Sequence, residues 1–157
     1  MLLITKVRIW DTPPIYGLLL SKASYSEIKN VSFTVTAMCK LKISNIKIYD
    51  FCKVLGILLD NAIEAAAESE KKFVELIIGE KPDKSALFIE VSNSCAGTVD
   101  TTTIFNDGYS TKEGHMGFGL WNVQKIISKY KNCKLHTKAC EKYFSQKIEI
   151  MHNNVNA

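Results

Sequence analysis

Residues 50–69 have the sequence DFCKVLGILLDNAIEAAAES, which combines a buried helical stripe with polar side chains at its edge. Apolar residues recur here at steps of three and four, the spacing of one helix face. They are Phe51, Leu55, Leu58, Leu59, Ala62, Ile63 and Ala66. Asp50 is a residue type that favours the N-cap position, so we predict that the helix begins there. The stripe predicts a core helix around which the domain is built.

Two polar side chains of this helix, Asn61 and Glu64, stand three positions apart. This spacing places an amide and a carboxylate on one face, where both could contact a ligand. The alternative is that Asn61 only caps or solvates an edge of the helix. The helix alone does not decide between these interpretations.

The composition is that of an ordinary globular domain, with 157 residues, 46% hydrophobic and 23% charged. We expect one folded unit. A formal net charge of +4 suits an anionic ligand, but Lys and Arg are spread along the chain, which argues against nucleic acid binding. Lys6 and Arg8 interrupt the apolar start, which is too short for a membrane span, so no membrane segment is expected.

The five cysteines form no CxxC pair, and their odd number leaves one over in any disulfide scheme. Reduced thiols in a cytosolic setting fit best. Cys133, His136 and Cys140 are a combination of metal-ligand types, but Cys133 and His136 would fall on opposite faces of a predicted strand. This disfavours a metal site there.

Helical and strand patterns alternate along the rest of the chain. Pro13 and Pro14 suit the first turn of a helix that ends near Asn30. Strict alternation over residues 31–38 predicts a half-buried strand. Extended patterns follow at residues 46–49, 73–78 and 86–93, and in a closing hairpin over residues 135–151 that turns at Glu141 and Lys142. The strands over residues 73–78 and 86–93 should pair as a hairpin.

Residues 94–116 show neither the helical nor the strand periodicity of apolar residues and are rich in Gly, Ser and Thr. So long a loop in a compact domain is usually functional or disordered, and we expect it to be mobile without a ligand. It ends in GFGL, residues 117–120, directly before a helical stripe that starts at Leu120. Glycines at a helix start let phosphate oxygens approach free backbone amides. The order of elements predicts a two-layer α+β sandwich with mostly antiparallel strands.

Three stretches occur in one order: LLDNAIEA at residues 58–65, VSN at residues 91–93 and FNDGYSTKEGHMGFGLWNV at residues 105–123. Together they resemble the ATP-binding domain of the GHKL superfamily and are most similar to Agr-type sensor histidine kinases of peptide quorum sensing. The combination is far more specific than any single piece. It implies a Bergerat-type α/β sandwich, with a mixed sheet on about three helices, over residues 14–151. Residues 1–13 would be a connecting segment and residues 152–157 a tail.

The resemblance implies a nucleotide site residue by residue. Asn61 matches the asparagine that ligates Mg²⁺, an ion that prefers oxygen ligands. Gly117 and Gly119 match the second glycine box, whose backbone amides face the phosphates, and Lys112 would be the basic lid residue that reaches them. Further nucleotide contacts implied by the resemblance are Phe105, as an anchor of the lid, Ser110, Thr111 and Leu120.

Two positions depart from the family pattern. Asn93 stands where many relatives carry the Asp that accepts a hydrogen bond from adenine; an amide oxygen can still accept it, so we expect adenine binding with weaker affinity. Ile57 stands one turn before Asn61, where ATP-hydrolysing members carry a general-base Glu and many histidine kinases a second Asn. Rapid hydrolysis is therefore not expected, and Glu64 is the nearest substitute for a base.

The resemblance implies the catalytic domain of a two-component sensor histidine kinase that uses Mg·ATP as phosphoryl donor. The accepting histidine would lie on a dimerisation domain absent from this chain, with a response regulator as indirect partner, so the isolated chain should not label itself. The parent is expected to be a membrane-bound homodimer that carries this domain in the cytoplasm. Two alternatives stay open: a nucleotide-binding regulatory module without transfer, and an anti-sigma-type serine kinase of the same superfamily.

Overall fold

The computed structural model describes residues 12–106 and 119–152, together with the backbone of Leu3–Thr5. The described residues form three helices and six strands. The helices are α1 (Pro13–Ile28), α2 (Ile48–Ala67) and α3 (Gly119–Ile127). The strands are β1 (Leu3–Thr5), β2 (Ser32–Ala37), β3 (Phe73–Glu80), β4 (Ala86–Ser94), β5 (Cys133–Cys140) and β6 (Tyr143–Met151).

The strands make a single mixed sheet in the order β1-β2-β3-β4-β6-β5. The β1–β2 and β2–β3 pairs are parallel, whereas the β3–β4, β4–β6 and β5–β6 pairs are antiparallel. Both predicted hairpins are confirmed. β1 lies within residues 1–13, which were expected to be a connecting segment, and it adds an edge strand to the sheet. The bounds proposed for the domain stay a prediction.

The helices cover one face of the sheet, which confirms the two-layer sandwich. Alternate residues of each inner strand point to this face, as the period of two requires. Fully buried members of the core include Val35, Leu76, Ile78, Ile89 and Ile148 from the sheet and Phe51, Leu55, Leu59 and Ile63 from α2. Burial of each large apolar side chain contributes roughly 1.5–3 kcal/mol, so α2 is held by its stripe and not by its ends.

The predicted start of α2 was wrong by two residues. Ile48 and Tyr49, expected to be extended, already belong to the helix, and its N-cap is Lys47, which has extended backbone angles and makes no side-chain cap. Asp50 lies in the first turn, where a negative charge suits the helix dipole. Its carboxylate accepts a hydrogen bond from the Tyr130 hydroxyl. The Asp50 side chain therefore binds a residue far along the chain and does not cap the helix.

Candidate functional site

Asn61 lies half-buried on the side of α2 that faces the start of α3. A methyl group built on Gly119 would lie 3.4 Å from Asn61 Nδ2 and 3.6 Å from Asn61 Oδ1. The α3 backbone therefore approaches the Asn61 amide with no side chain between them. The first amides of a helix have no partner within the helix, and its dipole favours anions there. The structure thus brings two sequence-predicted site residues together in a place suited to an anionic ligand.

Ile57, one turn before Asn61, lines the same contact. Its Cγ2 would lie 3.3 Å from the methyl group built on Gly119, and the side chain packs half-buried against the core. A hydrocarbon cannot take a proton, so this position offers no general base. The contact between α2 and α3 is shaped for close approach of the backbone and carries no acid or base at Ile57.

Glu64 meets a different neighbour. The Tyr25 hydroxyl of α1 donates a hydrogen bond to Glu64 Oε1 at 3.3 Å. Burial, and then the charge of Glu64, raise the pKa of Tyr25. Asn61 is against α3 and Glu64 is bonded to α1, so the shared face expected from their spacing divides between two neighbouring helices. The role of Glu64 as a substitute base stays a prediction.

Asp60, next to Asn61, also turns to α1. Lys22 Nζ lies 2.6 Å from Asp60 Oδ1, with the Lys22 side chain 16% exposed and the Asp60 side chain 41% exposed. The sequence reasoning missed this pair. Lys22 and Tyr25 stand three positions apart on the predicted first helix, which is the signal that could have indicated polar contacts between α1 and α2.

Asn93 is 2% exposed near the end of β4. Its parity with Ile89 and Val91 places it on the face that packs against the helices. Asn93 Nδ2 donates a hydrogen bond to the Ser94 carbonyl at 2.9 Å, which orients the amide. In this orientation the amide oxygen is the acceptor that an adenine amino group would need.

A second buried amide, Gln146, was missed by the sequence reasoning. It is 3% exposed and lies opposite Val91 and Thr137 in the sheet. Its Nε2 donates to Thr137 Oγ1 at 3.5 Å. The signal was available, because Gln146 interrupts the inward apolar face between Phe144 and Ile148. Two amides, Asn93 and Gln146, therefore make the inward side of the sheet polar near the end of β4.

The first part of the long loop is folded into turns. Asp100 accepts hydrogen bonds from the Thr102 hydroxyl at 2.6 Å and the Thr102 backbone N–H at 2.9 Å. These bonds, from the hydroxyl above all, hold the pKa of Asp100 below its ordinary value. Ile104 is 2% exposed and Phe105 is half-buried, and the assignment of Phe105 as an anchor of the lid stays a prediction. Ser94, predicted as the first loop residue, is the last residue of β4.

Four predicted site residues lie outside the described part of the chain, and their assignments stay predictions. They are Ser110, Thr111, Lys112 and Gly117. Leu120 is described; it lies half-buried in the first turn of α3 and packs against the core.

A second contact joins α2 to the segment after α3. The Tyr130 hydroxyl donates to Asp50 Oδ2 at 2.5 Å and accepts from the Lys47 backbone N–H at 3.4 Å. The hydrogen bond to Asp50 raises the pKa of Tyr130. No local pattern in the sequence pointed to this contact.

The described residues contain no group of three or more His, Cys, Asp or Glu side chains arranged to hold a metal ion. Cys133 is buried while His136 is exposed, so these residues do lie on opposite faces of β5. Burial raises the pKa of the Cys133 thiol to about 11, which leaves it protonated. Asn61 fits a different kind of site, because Mg²⁺ is commonly held by one or two protein oxygens together with phosphates and water.

Comparison with known proteins gives a consistent family. The model of the GHKL domain matches residues 46–151. The sensor protein CitS of Bacillus subtilis is 33% identical over 110 residues, which are 69% of this chain and 20% of CitS. The sensor histidine kinase DpiB of Escherichia coli is 32% identical over 87 residues, 51% of this chain and 15% of DpiB. The chain therefore spans a fifth or less of the length of these curated relatives.

Solved structures show the same fold. The catalytic domain of histidine kinase ThkA, in a nucleotide-free form, superimposes with a TM-score of 0.72 at 19% identity and covers 88% of this chain and 90% of that domain. Full-length ShkA in complex with AMPPNP gives a TM-score of 0.68 at 16% identity over 87% of this chain and 29% of ShkA. None of the described helices has the length and hydropathy of a membrane span.

Proposed function

This chain belongs to the GHKL domain family, and we propose that it is the ATP-binding catalytic domain of a two-component sensor histidine kinase. The observation that carries the proposal is the contact between Asn61 and Gly119. It places an oxygen ligand suited to Mg²⁺ beside the start of a helix suited to phosphate. The AMPPNP bound to ShkA and the naming of DpiB as a sensor histidine kinase support the same conclusion.

Mg·ATP would lie between α2 and the start of α3. Asn61 would ligate Mg²⁺ through its amide oxygen, and the first amides of α3, beginning at Gly119, would face the phosphates. At the other end, the Asn93 oxygen would accept a hydrogen bond from the adenine amino group, without the charge assistance of an Asp. The hydrogen bond from Asn93 to the Ser94 carbonyl supports this orientation.

The reaction would be transfer of the γ-phosphoryl group to a histidine on a dimerisation domain. Such a transfer depends on positioning and electrostatic stabilisation, so it needs no strong base on this domain. Hydrolysis does need a base for water, and Ile57 supplies none. The isolated chain should therefore bind ATP, hydrolyse it slowly and leave itself unlabelled.

The finer assignments are proposals of the same kind. An Agr-type kinase with a role in quorum sensing rests on the sequence stretches at residues 58–65 and 105–123, since the curated relatives carry other names. The parent would be a membrane-bound homodimer, with this domain in the cytoplasm and a response regulator as the final acceptor. Residues 14–151 would be the catalytic domain.

Two experiments on the purified chain test the proposal. Titration calorimetry with AMPPNP, with and without Mg²⁺, should show binding that Mg²⁺ strengthens; absence of binding would refute the proposal. Incubation with γ-labelled ATP should label a supplied family dimerisation domain on histidine in an acid-labile bond. Binding without any transfer would instead favour the regulatory module, and label on serine of a partner the serine kinase. Glu64→Gln tests whether any residual hydrolysis uses that carboxylate.

A further inference from the structure

α3 and the residues that follow it pack along α2, and two contacts mark the two ends of this packing. At one, Gly119 lies against Asn61; at the other, the Tyr130 hydroxyl is bonded to Asp50. The segments run antiparallel, and the two contacts are the same number of residues apart in each. In α2 this distance is about 16 Å of helix, at 1.5 Å per residue. The contact at Tyr130 therefore lies at the end of this packing that is away from Asn61.

The backbone and the ring of Tyr130 are both held in place by neighbouring residues. Its N–H donates to the Ile127 carbonyl at 3.0 Å, and its carbonyl accepts from the Cys133 N–H at 3.1 Å. The backbone is thus tied both to the end of α3 and to the start of β5. The ring is partly buried against the core, which restricts the direction in which the hydroxyl can point.

Gly119 itself does not fix the axial position of α3, which depends on the buried side chains further along the helix, Val123, Ile126 and Ile127, and on the contact at Tyr130. Helices lock along their axes when side chains of one fill the grooves of the other, and Gly119 has no side chain to do so. The same lack of a side chain is what allows the close approach to Asn61. A site that needs a bare backbone therefore needs its axial position to be set elsewhere.

We propose that Tyr130 is a positioning residue for the nucleotide: its hydrogen bond to Asp50 fixes the register of α3 on α2 and so the approach of Gly119 to Asn61. The inference rests on the proposed function, and Tyr130 itself would touch neither ATP nor Mg²⁺. Loss of the hydroxyl lets α3 shift, which moves the phosphate-facing amides away from the metal ligand.

The test compares Tyr130→Phe with Tyr143→Phe, in AMPPNP titrations with and without Mg²⁺. Tyr143 is the matched control, because its hydroxyl also donates a side-chain hydrogen bond, to Ser92 Oγ at 2.9 Å, but on the sheet face away from the helices. Tyr130→Phe should weaken Mg-dependent binding by about fivefold or more, the low end of coupling between linked sites. Tyr143→Phe should leave binding unchanged. Asp50→Asn keeps an acceptor oxygen and should bind more tightly than Asp50→Ala.

If Tyr130 only stabilised the fold, the effects of Tyr130→Phe and Asn61→Ala on Mg-dependent affinity would be independent of each other. In an Asn61→Ala background, Tyr130→Phe should cost less Mg-dependent affinity than in the wild type, because the geometry it protects has lost its metal ligand. In the nucleotide-free domain, Tyr130→Phe should shift the backbone amide resonance of Gly119, and Tyr143→Phe should leave it in place.

The outcomes separate the inference from the proposed function. If the wild-type chain does not bind AMPPNP, the function fails and the positioning role with it. If the wild type binds and Tyr130→Phe binds equally well, or both Tyr→Phe variants lose affinity alike, only the positioning role is overturned. If Tyr130→Phe does not fold, as judged by far-UV circular dichroism, the Asp50 pair decides, and equal affinity of its two variants overturns the role.

Discussion

α2 meets α1 on one side and α3 on the other, and the two contacts are built differently. On the α1 side, polar groups of α2 are met by protein partners, Lys22 for Asp60 and Tyr25 for Glu64. On the α3 side, Asn61 faces the backbone of a glycine. Asp60 and Asn61 are neighbours in sequence, yet the first is engaged within the protein and the second borders a helix start suited to phosphate. The difference supports the proposed nucleotide site on the α3 side.

Of the substitutions on the α3 side of α2, Asn61→Ala should reduce nucleotide binding most. We expect Mg-dependent AMPPNP affinity to fall at least about tenfold. Removing a group that only supports a metal ligand costs about tenfold or more in metal affinity, and a direct ligand should cost no less. The free energy of unfolding should change by no more than about 0.5 kcal/mol, since the half-buried side chain faces the proposed nucleotide site and not the core. Calorimetry and urea unfolding measure the two effects. Unchanged affinity would remove Asn61 from the site.

Gly119→Ala should weaken binding by about fivefold, because the added methyl group would press on Ile57, fill the space next to the Asn61 amide and displace the helix start by a small distance. Gly17→Ala is the matched control within α1, where a methyl group would have no heavy atom within 4 Å. It should stabilise the fold by roughly 0.5–1 kcal/mol through helix propensity and leave binding alone. Equal binding by both variants would show that the contact with Asn61 has no role in the ligand site.

Asp60→Ala should affect stability slightly and binding not at all. The ion pair with Lys22 is partly exposed, so its loss should cost only about 0.2–1 kcal/mol, screened further by salt. A double-mutant cycle with Lys22→Ala in urea unfolding measures this pair alone. A loss of AMPPNP affinity comparable to that of Asn61→Ala would contradict the division between the two sides of α2.

The smallest expected difference between the two sides of α2 is in the pKa values of Tyr25 and Tyr130. Both have a pKa raised above 10.0, but the first cause is burial for Tyr25 and the hydrogen bond to Asp50 for Tyr130. Asp50→Ala should therefore lower the pKa of Tyr130 by more than Glu64→Ala lowers that of Tyr25. NMR titration of the tyrosine Cζ resonances measures both, and equal downward shifts would refute the distinction.

The same raised pKa values set the pH dependence of stability. The folded state holds these phenol protons more tightly than the unfolded state does, so their contribution is fully present below pH 10.0 and is lost as pH rises above it. Tyr25→Phe and Tyr130→Phe should each make the fall in unfolding free energy above pH 10 less steep. A slope that neither substitution changes would contradict this origin.

Patterns with a short period predicted most of the fold. Alternation gave β2 and both hairpins, and the helical stripe gave the body of α2, because burial of one face dominates their energy. The start of α2 was missed because Asp50 is engaged by Tyr130, far along the chain. A local rule for capping does not contain such a partner.

The site was predicted in part for the same reason. The resemblance to a family selected Asn61, Gly119 and Asn93, and the structure places the first two together. Spacing on the helix also paired Glu64 with Asn61, but the hydrogen bond from Tyr25 ties Glu64 to α1. The helix that packs against each side of α2 is determined by the arrangement of all three helices. The periodicity of α2 alone cannot predict it.

The sheet order also bears on how the domain behaves at high concentration. β5 is an edge strand, and an edge offers unpaired backbone groups to which another chain can add. Its outward positions carry Lys134, His136 and Lys138, all exposed, so a second strand approaching this edge would meet a row of basic side chains. Charge along the β5 edge opposes the strand addition by which sheet proteins aggregate.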